Sequence, residues 1–324
     1  LTQSGMLLTC GRSDTGALGH GTTTACLRPK LVEKLLSQEV KFISVGEHHM
    51  ACITDDARVY TWGANDFGQL GHPRASVPSS LVPRQVDLPD VPHPRSVFCG
   101  PNATVILMEG GRLLAAGSNA HNKLGINSTF GIFRRTTIEH ADTFTLVNSI
   151  TGRGKAVHVA LGEATTCVVT ESGKCYNMGG NKQGELGNGT CKPPKPWEKP
   201  KSVKYTLADY EVKQAAVGSG FVIAAAIGKD VISNGAILSL DDYTRLFAWG
   251  RGFKPNERSA EAAEDLTQPS WIRLTGMDDM GKSATHTSAS AGAANDGTGG
   301  GVGDGVGDNA SGGKRGGARA QPES

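Results

Sequence analysis

The chain has 324 residues, and its 33 basic and 31 acidic side chains give a net charge of +2. This balance excludes a strong overall field directed at nucleic acid or at an acidic membrane surface. The longest apolar run, residues 221–227, is too short to cross a bilayer, so no membrane partner is expected.

The seven cysteines include no C-x-x-C pair, and most of them lie in apolar, strand-like runs. We expect reduced thiols that act as small core residues, with no metal site and no cofactor. Reduced thiols are typical of the cytoplasm and the nucleus. The sequence therefore predicts an intracellular protein and leaves the choice between these two compartments open.

A glycine motif recurs along the chain in the form Gly, four residues, Gly, one residue, Leu-Gly. Its first glycines are residues 11, 63, 117, 179 and 250, which gives spacings of 52, 54, 62 and 71 residues. The third copy has Asn122 in place of the middle glycine, and the fifth copy loses the pattern after its start. The glycines to which we assign a structural role are Gly11, Gly16, Gly19, Gly63, Gly68, Gly71, Gly117, Gly125, Gly179, Gly184, Gly187 and Gly250.

The same succession of elements follows each motif. A Pro-x-x-Val/Ile element comes first, although the third repeat keeps only Ile138 of it. A β-branched run ending in glycine comes next, then a second apolar run and an acidic or glycine-rich turn, which we expect at residues 55–56, 109–111 and 171–173. Such runs predict short strands joined as hairpins. A small antiparallel sheet repeated about an axis is a β-propeller, and an open solenoid is the alternative.

These ordered markers resemble the regulator of chromosome condensation repeat family. The resemblance is carried by residues 59–71, by the Pro-x-x-Val elements and by Gly46-Glu47-His48-His49, and it spans roughly residues 5–275. It implies an all-β fold, a β-propeller of four-stranded blades. Four full repeats and a partial fifth are visible here, where the family usually has seven blades.

The predicted propeller repeats occupy residues 1–280, and residues 281–324 form a Gly/Ser/Asp-rich segment. We expect this segment to be a disordered tail or loop, because its few apolar residues cannot offset the entropy of ordering it. Three explanations of the missing blades stay open, in this order of preference. The first is that the chain is a fragment of a longer propeller. The second is that segment 281–324 is a long loop that interrupts the propeller, and the third is that two chains complete one another.

Residues 276–283 spell G-x-x-x-x-G-K-S, the letter pattern of a phosphate-binding loop. Such a loop needs a following helix whose N-terminus faces the phosphate. No helical period follows here, and Asp278 and Asp279 within the loop would repel phosphate. We interpret the match as accidental.

Polar residues in the loops of the motif are the candidates for contacts with a partner. Asp14, Asn65 and Asp66 either hydrogen-bond their own turns or offer polar groups on one rim. For His49 a hydrogen-bonded structural role is favoured over a contact on the propeller face. Trp197 lies in the basic, proline-rich insertion 192–201. This insertion is either a solvated loop or a site for an anionic or aromatic-groove partner.

The resemblance implies a non-catalytic protein–protein interaction scaffold, with no covalent catalysis expected. The alternative is a guanine-nucleotide exchange factor for a Ran-like small GTPase, because exchange factors of the family use acidic and histidine residues on such a face. Binding of chromatin or other nucleic acid through basic loops is a third and weaker hypothesis. It predicts a steep loss of binding with salt.

Overall fold

The computed structural model describes residues 1–89, 93–130, 134–229 and 244–251, together with the backbone of 270–272. All the strands in these residues belong to one unit, Leu1–Arg273. The segment 281–324 and the phosphate-loop pattern 276–283 lie outside the described residues. Short 3-10 turns connect some of the strands, at Glu33–Leu35, Glu109–Gly111, Ala120–Asn122 and Tyr205–Leu207.

Four antiparallel sheets follow one another along the chain, and we call them blades 1 to 4. Strands of a blade are lettered A to D in chain order. They are, in blade 1, β3 (Val40–Val45), β4 (His49–Thr54), β5 (Val59–Ala64) and β6 (Ser79–Gln85); in blade 2, β7 (Pro94–Cys99), β8 (Ala103–Met108), β9 (Leu113–Ser118) and β12 (His140–Leu146); in blade 3, β13 (Ala156–Leu161), β14 (Thr165–Thr170) and β15 (Cys175–Gly179); and in blade 4, β16 (Tyr210–Val217), β17 (Phe221–Gly228), β18 (Thr244–Gly250) and β19 (Ser270–Ile272).

Two short sheets accompany the blades: β1 (Leu8–Gly11) with β2 (Cys26–Leu31), and β10 (Ser128–Phe130) with β11 (Arg134–Thr136). The first precedes blade 1, and the second is inserted between strands C and D of blade 2. In the described residues blade 3 has three strands, and a single bridge between Tyr176 and Ser202 stands where strand D would pair. The all-β prediction is confirmed.

The core lies between neighbouring sheets. Strand β4 is buried on both faces, and its side chains alternate between two apolar clusters. Met50 and Cys52 pack with Leu7 and Val32, which directly precede β1 and follow β2, whereas Ala51 and Ile53 pack with blade 2. The A strands β3, β7, β13 and β16 contact one another in that order. Consecutive blades therefore share their cores and place their A strands side by side, as in a propeller.

Each sequence repeat spans two blades. The glycine motif of residues 63–71 connects strands C and D of blade 1, and the apolar runs that follow it form strands A and B of blade 2. The chain therefore passes from one blade to the next in the middle of every repeat. This connection links neighbouring blades covalently in addition to their shared apolar cluster.

The glycines of the motif have the backbone conformation that other residues disfavour. All twelve assigned glycines have positive φ, between 61° and 113°. Asn122, which replaces glycine in the third copy, has a φ of 59°. Asparagine is one of the residues that tolerate this region, so the substitution preserves the turn.

Gly63 shows why the first glycine of the motif is needed. At its φ of 104° the next amide, Ala64 N–H, donates to the carbonyl oxygen of His48 at 2.9 Å. A Cβ atom on Gly63 would lie 2.5 Å from that same oxygen. Gly11 has a similar φ of 112°, but no atom lies within 4 Å of the place its Cβ would occupy.

Gly11→Ala and Gly63→Ala are a matched pair that separates backbone strain from steric overlap. Both variants should lose about 1–2 kcal/mol, because an L residue is strained at positive φ. Gly63→Ala should lose a further ~1–3 kcal/mol, because a backbone carbonyl in a packed loop cannot move aside freely. Urea unfolding of both variants measures the difference, and equal losses would contradict the steric argument.

Candidate protein-interaction face

Loops from all four blades gather at one end of the sheets. In an antiparallel blade the A–B and C–D connections lie at the same end, opposite the B–C turn. We call this end the A–B face. Its A–B loops are residues 46–48, 100–102, 162–164 and 218–220. The C–D connections of blades 1 to 3 each contain an asparagine close to their start, at Asn65, Asn119 and Asn181.

The repeated asparagine fixes the shape of each C–D connection. Asn65 is fully buried, and its Oδ1 accepts the amide N–H of Leu70 at 3.0 Å. Its Nδ2 donates to the carbonyl oxygens of His72 and Val77 at 2.9 and 2.6 Å. Asn119 and Asn181 are also buried, and each accepts the corresponding leucine amide. This is the turn-forming alternative of the sequence interpretation, and it leaves the Asn65 side chain inaccessible to a partner.

Two aspartates of the glycine motifs are exposed, Asp14 between β1 and β2 and Asp66 in the C–D connection of blade 1. Asp14 forms an ion pair with Arg12, and the hydrogen bond from Arg12 lowers the Asp14 pKa. Asp66 is exposed, and its backbone carbonyl accepts a hydrogen bond from Arg74 at 3.2 Å. Asp66 is therefore an exposed acidic residue of the A–B face, whereas the Asp14 carboxylate is exposed but paired with Arg12.

His49 has a structural position between two blades. It is fully buried, and its Nε2 lies 2.8 Å from the hydroxyl of Thr104 in blade 2. Because Thr104 donates its own proton to the carbonyl of Gln69 at 2.7 Å, it accepts the Nε2–H of His49. Burial lowers the pKa of His49 to about 3, with smaller contributions from His48 and Lys123. This geometry supports a hydrogen-bonded structural role for His49, the interpretation favoured from the sequence, rather than a contact on the propeller face.

The neighbouring His48 has the accessibility that His49 lacks. More than half of its side chain is exposed, and its Nε2 lies 3.6 Å from a carboxylate oxygen of Glu47. Glu163 occupies the same position of blade 3 as Glu47 does of blade 1, and it is also exposed. The sequence carries this signal, because each of the two glutamates directly follows the glycine that ends strand A.

A cavity of about 440 Å³ opens between the A–B loops of the four blades. Its walls combine acidic groups, an imidazole and apolar side chains, and they include Glu47, His48, Phe67, Leu161, Glu163 and Val217. Phe67 is one of the large apolar side chains that the described residues leave exposed. A cavity lined by both apolar and acidic side chains suits a partner that inserts a side chain with an apolar stem and a basic end.

Lys123 stabilises the loops of this face through buried hydrogen bonds. It is fully buried, and its ammonium group donates to Asn102 Oδ1 and to the carbonyl oxygens of Gly162 and Glu163, the latter two at 3.2 and 2.7 Å. Burial lowers its pKa to about 8. Lys123 thereby ties the C–D connection of blade 2 to the A–B loops of blades 2 and 3, and sequence reasoning missed it.

Trp197, the last predicted contact residue, lies away from the cavity. Its side chain is half-buried, and the guanidinium carbon of Arg135 lies 4.0 Å from the centre of its ring. In the described part of the chain, no group of three His, Cys, Asp or Glu side chains is placed to hold a metal ion. Among the same residues, no helix has the length and apolar character needed to span a membrane.

The repeats match a known family. The model of the Regulator of chromosome condensation (RCC1) repeat matches residues 4–53, 56–107 and 172–225, and a second model of that repeat matches residues 40–69. This chain contains regulator of chromosome condensation repeats. The matched segments do not include 108–171, where the third copy has Asn122 and has lost the proline of its Pro-x-x-Val element.

The similar curated proteins are much longer than the region they share with this RCC1-repeat chain. Serine/threonine-protein kinase Nek8 of Danio rerio is 35% identical over 191 residues, which are 58% of this chain and 27% of the kinase. E3 ubiquitin-protein ligase HERC2 of Homo sapiens is 32% identical over 192 residues, which are 59% of this chain and 4% of the ligase. The chain thus covers about a quarter of one relative and far less of the other.

Solved structures of RCC1 type share the fold. Human WBSCR16 superposes with a TM-score of 0.62 at 20% identity, over 84% of this chain and 67% of that one. Prp20p of Saccharomyces cerevisiae, whose structure was described with its binding properties to Gsp1p and histones, superposes with a TM-score of 0.59 at 17% identity, over 85% and 60%. The predicted β-propeller architecture of the RCC1 type is confirmed.

Proposed function

We propose that this RCC1-repeat propeller is a non-catalytic scaffold that binds a protein partner on its A–B face. The observation that carries the proposal is the combination of exposed groups and a rigid frame. Glu47, Glu163 and Phe67 are exposed around one cavity, while buried hydrogen bonds of Asn65 and Lys123 hold the loops beneath them. Recognition groups on loops that a rigid scaffold positions are typical of binding proteins.

A Ran-like exchange factor is the second candidate. Exposed acidic groups and the imidazole of His48 share the A–B face, the combination that the family resemblance links to exchange factors. The binding of Prp20p to Gsp1p and histones, described with its structure, supports a protein partner in general. Exchange activity would not need covalent chemistry, because the face would only have to bind the nucleotide-free GTPase most tightly.

The test compares charge reversals at the two ends of the blades in the full chain. Glu47→Lys with Glu163→Lys alters the A–B face, and Glu109→Lys with Asp209→Lys makes the same change of charge at the opposite end. Quantitative affinity purification should show proteins that the wild type and the opposite-end variant retain and the A–B variant loses. Equal retention by both variants would contradict the proposed face.

Nucleotide release separates the two candidates. A Ran-type GTPase loaded with fluorescent GDP should release the nucleotide at its own rate in the presence of the chain if the chain is a scaffold only. Acceleration that Glu47→Lys with Glu163→Lys abolishes would instead establish the exchange factor. The melting temperature of each variant serves as the control for folding.

A further inference from the structure

A second surface of the propeller has a different chemistry from the A–B face. The insertion 192–201 reads Lys-Pro-Pro-Lys-Pro-Trp-Glu-Lys-Pro-Lys and leads into the bridge between Ser202 and Tyr176 at the edge of blade 3. Within it the chain makes a turn, in which the amide N–H of Glu198 donates to the carbonyl oxygen of Lys195 at 2.9 Å. The cleft beneath it, of about 60 Å³, shares no lining residue with the cavity of the A–B face.

The insertion is held in place by contacts along its length. Asn127 Nδ2 donates to the carbonyl oxygen of Pro196 at 2.8 Å. The guanidinium group of Arg135 lies over the ring of Trp197, at a distance typical of a cation–π contact. Both contacts come from the connection between strands C and D of blade 2. The segment is therefore ordered by its neighbour, which lowers the entropy that a ligand would otherwise have to overcome.

The start of the insertion is fixed as well. Asn181, the structural asparagine of this repeat, donates from Nδ2 to the carbonyl oxygen of Lys192 at 2.9 Å. The same Nδ2 donates to the carbonyl of Thr190 at 2.8 Å. The glycine motif of the fourth repeat thus sets the direction in which the insertion leaves the blade.

This ordered segment presents an excess of cations. Lys192, Lys195 and Lys199 are exposed, and in the described ranges none of them forms an ion pair. The single acid of the segment, Glu198, pairs with Lys201 at 3.3 Å. Lys195, Lys199 and Lys201 also line the cleft, together with Glu198, so its lysines outnumber its single carboxylate.

We propose that residues 192–201 and the cleft beneath them dock an acidic peptide segment of a partner protein. Carboxylates spaced along an extended peptide would meet Lys195 and Lys199, and the cleft would take a side chain between them. Charge complementarity of this kind sets specificity and association rate. The inference goes beyond the scaffold proposal, because it adds a second surface with its own ligand chemistry.

An acidic peptide fits this surface better than a nucleic acid does. Single-stranded nucleic acid is held by base stacking on free aromatic faces together with many phosphate contacts. Trp197 is the only aromatic residue of the insertion, and Arg135 already occupies a face of its ring.

The experiment measures binding of a defined probe to the full chain. The probe is a short fluorescein-labelled peptide of alternating glutamate and glycine, followed by fluorescence anisotropy at low and high salt. Lys195→Glu with Lys199→Glu should weaken binding by about tenfold or more. Lys34→Glu with Lys174→Glu makes the same change of charge on exposed lysines elsewhere and should leave binding nearly unchanged.

Three results would overturn the proposal. Equal weakening by both pairs of substitutions would show a general charge effect, and absence of binding at low salt would show that the surface takes no acidic peptide. Tighter binding of an oligothymidine than of the peptide, lost with the same two lysines, would make the surface a nucleic-acid site. Lys195→Gln with Lys199→Gln repeats the test without charge reversal, so a folding defect of the first pair would not hide the answer.

The A–B face variant Glu47→Lys with Glu163→Lys should bind this peptide as the wild type does. Loss of partner proteins by that variant with unchanged peptide binding would support both surfaces independently. Neither Glu47 nor Glu163 lies in the cleft beneath the insertion. If the A–B face proves to bind no partner, the peptide-binding result is therefore unaffected.

Discussion

Trp62→Ala should lower the free energy of unfolding by about 3–5 kcal/mol, the range seen when a large aromatic side chain is removed from a core. Trp62 is fully buried in strand β5 of blade 1. Its indole Nε1 donates to the carbonyl oxygen of Ala17, in the glycine motif of the preceding sheet, at 2.7 Å. The substitution would therefore create a cavity and leave a polar atom without its partner.

The same contact recurs three repeats later, which argues that it is part of the architecture. Trp249 of blade 4 is buried and donates from Nε1 to the carbonyl oxygen of Glu185 at 2.9 Å. Ala17 and Glu185 hold the same position, directly before the Leu-Gly of their motifs. Each tryptophan thus fastens the glycine motif of the preceding sheet to its own blade.

Trp197→Ala is the matched control for Trp62→Ala. It removes a half-buried tryptophan from a surface insertion and should cost about 1 kcal/mol or less. Urea unfolding followed by far-ultraviolet circular dichroism measures both variants without relying on tryptophan fluorescence. Similar losses for the two would contradict the role of Trp62 in joining the sheets.

The last glycine of three of the motifs provides the space for an aromatic side chain. A Cβ on Gly19 would lie 3.0 Å from Nε1 of Trp62, and a Cβ on Gly71 would lie 2.2 Å from the ring of Phe144. The position equivalent to Trp62 in blade 2 is Ala116, which is too small to fill the gap. Phe144 from strand D fills it instead. The recurring last glycine marks where this gap lies. Which strand supplies the side chain that fills it depends on packing between strands.

Strands and turns were predictable here because short-range chemistry determines them. The turns expected at residues 55–56 and 171–173 are where the hairpins of blades 1 and 3 close, and the expected turn at 109–111 adopts 3-10 geometry. Alternating apolar runs and positive-φ glycines are local signals. The order of strands A to D follows from repeating those signals along the chain.

Accessibility of single polar residues was not predictable in the same way. Asn65 and Asp66 are adjacent, as are His48 and His49, yet one member of each pair is buried and the other exposed. Alternation along the backbone predicts that neighbours differ, but the tertiary packing of the loop decides which one is inside. Lys123 is a stronger case, because the two carbonyls it bonds belong to residues 162 and 163, about forty positions away.

Acidification is expected to destabilise the protein through His49. Between the folded and unfolded pKa of one group, each pH unit changes the free energy of unfolding by up to about 1.4 kcal/mol, and by less close to either pKa. Lowering the pH from 6.5 to about 4.5 should therefore remove about 2 kcal/mol through His49, whose pKa is lowered to about 3. His72 adds to the loss, because burial and the charge of Arg84 lower its pKa as well.

The direction follows from proton binding in the two states. In the unfolded chain the His49 imidazole takes up a proton near its ordinary pKa of 6.5, whereas in the folded chain it takes one up only near 3. Between these values the unfolded state binds more protons, so stability falls as the pH falls. Protonation of His49 in the unfolded chain therefore costs the protein no stability well above pH 6.5. The loss of free energy of unfolding through His49 grows below that pH and is complete only near pH 3.

His49→Gln tests this account, with His48→Gln as the control for an adjacent exposed imidazole. His49→Gln should be less stable than the wild type at neutral pH, because it loses packing and its bond to Thr104. Its free energy of unfolding should also change less between pH 6.5 and about 4.5, by about 2 kcal/mol, since the buried titrating group is gone. His48→Gln should retain most of the pH dependence of the wild type. A His49→Gln protein as acid-sensitive as the wild type would place the titrating group elsewhere.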